Sequence, residues 1–478
     1  MGFSQIACMK DCPKIGIRGL LAAAVVALVS VSASAALPAP VVEIEEDVYT
    51  WADAKNGAGP MWCSGSTCLV RCQGKLFATA LETVPGAAPL NNCRWVLLER
   101  EAAGWRRARE DKGRTREPSP IASSASGRFF VSTNPTLGSG AEPNGGPARP
   151  DLLEFAAADP NMAPSPLSPR WEGNPPFREH SYRTLAADGP AGEIVLFQNI
   201  DYTHAEWAFR NGAGEWAARG KLVWPWGTNY EHPQPIRVCY PTVALRDRAV
   251  HFFGVSDIYE PRTDWHAEKE KLTGQHWDYD FRRLLYTWTP DIASTGFRPW
   301  IEVASREATC GWLSPADLWL GPDQSVHLLW TERAIDERLR AKFYPEARQS
   351  HLLVHAILRD GKIVSRETLL ESAEDRPGLV ASAARFQPAP DGRLFIFMHV
   401  SGREADGRPV AENRLMELQP GGARPMVAAP LQHPFTSFFT ATVRAGSPPS
   451  QTLDLLGTCA DKSNTIRYAR LRLPSSEK

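Results

Sequence analysis

Glu179-His180-Ser181-Tyr182-Arg183-Thr184 opens a stretch that runs to Asp257 and decides the fold. An apolar strand, Glu193–Gln198, follows a Gly turn and leads into Asn199-Ile200-Asp201-Tyr202-Thr203-His204. After Gly214-Glu215-Trp216 the same plan returns: Cys239-Tyr240-Pro241-Thr242-Val243-Ala244, the strand Ala249–Gly254, then Ser256-Asp257. Each unit begins in polar or aromatic residues, makes an apolar hairpin and ends polar. Such runs, bounded by turn residues, are strands. We read them as the inner strands of two neighbouring propeller blades whose polar ends meet at one mouth.

The turn ahead of the second strand recurs along the chain. It appears as Gly74-Lys75, Gly127-Arg128, Gly192-Glu193, Asp247-Arg248, Asp323-Gln324, Gly392-Arg393 and Ser450-Gln451. The spacing is uneven, roughly 50–75 residues, as expected of propeller repeats with loop insertions. Outer halves recur too, as in Arg94–Arg100 with Gly104-Trp105 and His351–Leu358 with Gly361-Lys362. The expectation is an all-β, seven-bladed β-propeller, with blades near 61–117, 118–172, 179–224, 239–303, 310–371, 380–430 and 433–475. Residues 36–60 read as a linker and an opening strand, Val41–Thr50. A pair of β-sandwiches is the alternative, but sandwich strands come with tighter, more regular turns. Only Asp336–Arg348 looks able to form a short helix.

A net charge of -1 over 478 residues, with no basic tract, gives no footing for nucleic acid. Lys10, Lys14 and Arg18 precede the apolar run Leu20–Val31, and Ala33-Ser34-Ala35 offers a cleavage site. Residues 1–35 therefore read as an export signal, too short in its apolar part for a comfortable span. A periplasmic or secreted protein, with no membrane span once the signal is removed, is expected. In such a compartment disulfides form. Of the seven cysteines left, Cys63, Cys68, Cys72 and Cys93 are expected to pair among themselves, and Cys239 and Cys310 to face each other. The cysteine spacing lacks paired Cys-x2-Cys ligands, so no residue is assigned to a metal. The sequence indicates neither a cofactor nor an oligomeric state.

In a four-stranded meander the start of the first strand, the end of the second and the loop after it share one face. The long insertions fall in that loop: Asn134–Arg149, Ser256–Phe281, Glu332–Gln349 and Ser401–Glu412. Loops on a rigid scaffold are where function sits. The same rule places His180, Arg183, Asp201, His204, Arg237, Tyr240, Asp257, Trp312, Glu332, Arg333 and His399 at that mouth. Trp265, His266, Trp277, Asp278 and Tyr279 fall in the longest insertion. These groups can move protons, grip carboxylates and stack on sugar rings.

The units resemble sialidase-like propellers of the BNR type, although the Asp-box is absent and Asn211–Trp216 is at best a remnant of it. His180, His204 and Tyr240 are also similar in order to secreted polysaccharide lyases of the ulvan-lyase type. That resemblance implies catalytic roles for these three; Arg183, Asp201, Arg237, Asp257, Trp312, Glu332, Arg333 and His399 are the substrate contacts expected from their place at the mouth. Where the lyase pattern expects an Arg after the next strand, this chain has Ser256-Asp257, with Arg262 further on. The implied partner is an extracellular polysaccharide, cut by β-elimination beside a uronate. A sialidase-like hydrolase using carboxylates such as Asp201, Asp257 and Glu332, or a non-catalytic propeller binding glycan or protein, would use the same mouth.

Overall fold

The computed structural model describes residues 36–475 apart from 88–89, 139–144 and 421. The signal expected over 1–35 lies outside the described residues. Seven four-stranded antiparallel sheets form a seven-bladed β-propeller. The inner strands are Leu69–Cys72, Ile121–Ser123, Arg183–Asp188, Val238–Arg246, Trp312–Leu320, Leu379–Pro388 and Phe435–Thr440, each beside the next around the ring. No helix among the described residues is long and apolar enough to cross a membrane.

Blade 3 shows why the sequence alternates so weakly. Every residue of its inner strand Arg183–Asp188 is buried, and so are seven of the eight in Glu193–Ile200. Only the outer strand, Trp216–Val223, alternates between partly covered and open positions. Sheets covered on both faces need apolar residues on both faces. Phe77 of blade 1 stacks on Phe129 of blade 2 at 4.2 Å, and Phe129 on Phe155 at 5.1 Å. The core thus lies between blades as much as within them.

Val41–Thr50, expected as an opening strand ahead of the ring, is instead the outermost strand of blade 7. It pairs with Lys462–Arg472, from Val41 opposite Arg472 to Thr50 opposite Thr465. The two ends of the chain thereby close the ring. Deleting residues 36–50 would leave Lys462–Arg472 as an open edge. We expect that protein to aggregate and to lose its cooperative melt, read by size-exclusion chromatography and calorimetry; a monomer melting like the full chain would refute this closure.

Polar groups tie the ring across its centre. Asp317 of blade 5 is buried and accepts from Arg444 Nε at 2.9 Å and from the Phe386 amide of blade 6 at 2.9 Å. Arg444 donates on to the Gly65 carbonyl at 3.0 Å, and Arg385 to the Ser64 carbonyl at 3.0 Å. Residues from blades 5, 6 and 7 and the approach to blade 1 meet in this network.

The insertions differ from expectation in two places. Glu337–Phe343 is helical, capped by the Asp336 side chain, as the sequence suggests. Ser401–Glu412 is not a loop: Leu394–Arg403 and Pro409–Glu417 run on as a long hairpin. A second helix, Thr263–Thr273, lies in the blade 4 insertion and went unforeseen. It buries only Trp265 and Lys269, so no apolar stripe announces it.

The seven described cysteines are all free thiols, contrary to the expected disulfides. Cys63 and Cys68 come nearest, with sulfurs 3.6 Å apart, too long for a bond. Cys239 sits against Asn199 and Cys310 against Arg282, one blade apart, so they do not face each other. Six of the seven are buried, where a thiol packs as a small apolar group.

Burial makes the interior acid-sensitive. His251, bonded to the Tyr286 hydroxyl at 2.7 Å, is pushed down to about 3 by its burial, and His327 likewise to about 3. The unfolded chain takes up these protons near pH 6.5. Stability is therefore undiminished above about pH 6.5 and falls below it, by on the order of 1.4 kcal/mol per histidine per pH unit, until about pH 3. Urea midpoints at neutral and mildly acidic pH measure this; a constant midpoint in both His251→Gln and the parent would sink it.

Candidate functional site

Four aromatic rings gather where the first inner-strand residues of blades 3 and 4 meet the approach to blade 1. Trp62 stacks on His180 with centroids 5.5 Å apart, lies 5.2 Å from Tyr182, and meets Tyr240 edge-on at 6.4 Å. The Tyr182 and Tyr240 hydroxyls are 3.2 Å apart. Two local features force this meeting. Tyr240 has φ 49°, left-handed and immediately before Pro241, at a bulge between Cys239 and Thr242. Such a conformation costs about 1–3 kcal/mol and turns the ring toward the mouth. Gly65 passes so close beneath that an added Cβ would lie 2.3 Å from the Pro241 carbonyl oxygen.

His180 is 39% exposed, yet one of its nitrogens is held. Its Nδ1 lies 2.9 Å from Glu117 Oε1 and also contacts Arg116 Nη1. Two N–H donors cannot share that point, so Nδ1 either donates to Glu117 or accepts from Arg116. The Glu117 contact has ordinary hydrogen-bond length. Glu117 is itself fixed, accepting from the Ser181 amide at 3.1 Å. With Nδ1–H on Glu117, Nε2 carries the free lone pair, and it has no protein partner among the described residues. Arg116 is anchored on the Asn56 carbonyl and lies 4.9 Å over the Trp62 ring.

Arg237 makes the next wall. Its guanidinium pairs with Asp257 at 3.1 Å and lies 3.9 Å over the Tyr202 ring and 5.3 Å over Tyr182. Tyr202 and Tyr279 join through their hydroxyls at 3.1 Å, bringing the blade 4 insertion to the rim. Beyond Tyr240, Phe281 and Trp312 stack at 4.4 Å, and Arg333 covers Trp312. Trp312 is 40% exposed, a flat apolar face open to solvent.

Burial, with the Asp257 carboxylate next, pushes the Tyr240 phenol above its ordinary value, and burial does the same to Tyr182. Tyr202 is pushed up to about 12, mainly by burial. These phenols keep their protons at neutral pH and are donors.

The residues expected at this mouth divide. His180, Tyr240, Arg237, Asp257, Trp312 and Arg333 lie along its wall. His204 does not join His180: it opens the third strand of blade 3, its Nδ1 on Thr203 at 2.7 Å and its Nε2 on Glu206 at 3.1 Å. Arg183 lies buried beneath the rings, donating to the Pro118 carbonyl at 2.9 Å. Asp201 is an exposed turn residue with φ 43°. Glu332 is buried in blade 5 between Arg306 and Arg366, and its carboxylate accepts from Trp330 at 2.7 Å. His399 is buried in blade 6 on Ser382 at 2.7 Å. In a strand, one position's shift turns a side chain from the mouth into the sheet packing.

Trp62, Arg116, Glu117, Tyr182, Tyr202 and Tyr279 went unassigned. Arg116 and Glu117 precede the inner strand of blade 2 as His180 precedes that of blade 3. Applying the positional rule to every blade, and not only to blades 3 and 4, finds them. The cleft under the rings holds about 20 Å³, room for one water, so a ligand lies across the rings and does not enter them. A larger cavity, about 720 Å³, opens at the opposite mouth among the turns near Gly189, Pro322 and Pro390, with no histidine or tyrosine in its lining.

No family model and no curated protein matches the chain. Among solved structures it is similar to a PL25 ulvan lyase, at 9% identity over 92% of this chain and 96% of that one, with a TM-score of 0.47. It is similar to a protein of unknown function from Dyadobacter fermentans, at 10% identity over 92% and 100%, with a TM-score of 0.45. An alpha-L-arabinanase of Penicillium chrysogenum matches at 11% identity over 74% and 92%, with a TM-score of 0.40. Likenesses this distant carry no weight for activity and do not show the sialidase kinship; the fold rests on the strand pairings.

Proposed function

We propose that this chain is an exported propeller that lays an acidic polysaccharide across the mouth and cuts it beside a uronate by β-elimination. The observation that carries the reading is the pairing of His180 with Tyr240 across Trp62, one ring with a free nitrogen and the other a protonated phenol. His180 Nε2 takes the proton from the carbon bearing the carboxylate. Tyr240 gives its proton to the departing glycosidic oxygen. The carbon–oxygen bond breaks and a double bond forms between the two carbons, so protons and electrons balance. Arg116 and Arg237, each over an aromatic ring of the mouth, would offset the charge that develops on the carboxylate. Trp312 and Phe281 extend a stacking surface for neighbouring sugars.

One observation favours a second reading, a non-catalytic glycan binder: Arg237 is already neutralised by Asp257. Incubation with a panel of uronate and neutral polymers separates them. The lyase reading expects ultraviolet absorbance from unsaturated ends on a uronate polymer only. Retention of polymer with no new absorbance on any of them would leave the binder standing.

A further inference from the structure

The blade 4 insertion holds a second cluster, outside the mouth, that the proposed reaction does not use. His266 and Glu270 are one helical turn apart on Thr263–Thr273 and share a face. Gly274, left-handed at φ 67°, ends the helix and turns the chain back, so that His276 returns to the same face. Tyr259, from the strand before the helix, completes the group. His266 Nε2 lies 3.6 Å from one Glu270 oxygen, and His276 Nδ1 lies 3.1 Å from the other. Donor atoms of the two histidines and Glu270 all fall within 4.8 Å of one another. The Tyr259 hydroxyl bonds to His266 Nε2 and lies 3.2 Å from His276 Nε2.

We propose that His266, Glu270 and His276, with Tyr259 as the fourth donor, bind a zinc-class divalent cation. Nitrogen and oxygen donors held by a tetrahedral zinc at about 2.0–2.2 Å stand about 3.3–3.5 Å apart. The 3.6 Å from His266 Nε2 to Glu270 and the 3.1 Å from His276 Nδ1 to Glu270 lie on either side of that spacing. Hydrogen bonding alone serves the group poorly. A single phenol proton faces two imidazole nitrogens and the His276 carbonyl. A cation between His266 Nε2, Glu270 and His276 Nδ1 would meet these three donors, with the Tyr259 hydroxyl approaching from the His266 side. Imidazole with one carboxylate suits zinc and its borderline neighbours over calcium or magnesium, which take oxygen cages.

The site would clamp both ends of the helix to the strand before it. Three residues beyond His276, Tyr279 reaches Tyr202 and lies 5.8 Å below Arg237. The metal would thus hold one wall of the mouth in place without touching substrate.

The test is metal content, independent of any activity. Purified full-length protein, stripped with EDTA and dialysed against zinc, is expected to retain one zinc per chain. A His266→Ala/His276→Ala protein with unchanged circular dichroism is expected to retain none, and Glu270→Gln to bind at least about tenfold more weakly. Should the double variant misfold, Glu270→Gln decides alone. Cobalt substitution identifies the donors: a spectrum without thiolate charge transfer supports the site, while a thiolate band would place the metal on cysteines and overturn it. Equal zinc in parent and Glu270→Gln, or none in the parent, would also overturn it.

Discussion

His180→Ala and Tyr240→Phe proteins are each expected to keep their fold and to lose about 10²–10⁴-fold in turnover on a uronate polymer, the span attached to a positioned acid or base. Both side chains sit at the mouth, and neither is a core element. His180 is 39% exposed, and removing the Tyr240 hydroxyl alone leaves its ring against Trp62 and Phe281. His204→Ala is the contrast. It is spent on Thr203 and Glu206 two strands further out, so its loss is expected to leave turnover within a few-fold of the parent. Equal losses in all three would mean that the histidines act through stability, and the assignment of His180 would fail. Glu117→Gln probes positioning. It removes the carboxylate that fixes the imidazole tautomer, and is expected to shift the pH profile of turnover while leaving the apparent affinity for polymer near that of the parent.

The largest effect on stability is expected at Asp317. Asp317→Ala would leave Arg444 buried with its charge uncompensated, beside Arg385, whose guanidinium burial already pushes down to about 10. Removing one partner of a buried pair costs about 3–5 kcal/mol, far more than the pair contributes over an apolar replacement. The Phe386 amide would lose its acceptor as well. Because the network spans blades 5, 6, 7 and the approach to blade 1, the expected result is a lower urea midpoint for the whole ring, not local fraying. The floor of the mouth should loosen too, since Arg444 holds Gly65 beneath Pro241. An unfolding free energy within about 0.5 kcal/mol of the parent, the range of ordinary surface changes, would show the network to be incidental.

Much of the fold was legible because its signal is repetition. Seven turns of the type Gly74-Lys75 or Asp247-Arg248 mark the hairpins that the structure shows. Closure was not legible, since nothing local in Val41–Thr50 says that its partner is Lys462–Arg472, more than four hundred residues away. The helix Thr263–Thr273 escaped because it is polar nearly all round and relies on one tryptophan for its hold. At the mouth, strand position brought His180 and Tyr240 to the ring's opening: His180 precedes the inner strand Arg183–Asp188, and Tyr240 sits at the bulge before Pro241. It misplaced Glu332 and His399, which lie within strands, where facing is set by register and bulges that the sequence does not display. Disulfides were inferred from the expected compartment and from where the cysteines fall along the blades, and neither says how far apart the sulfurs are held.

The most direct test is the mass of the fragments released from a uronate polysaccharide by the parent protein. Elimination at the His180–Tyr240 mouth predicts new ends lighter by one water than the hydrolysis product, and none from Tyr240→Phe. Fragments carrying the added water, or a polymer left whole across every uronate tried, would contradict it.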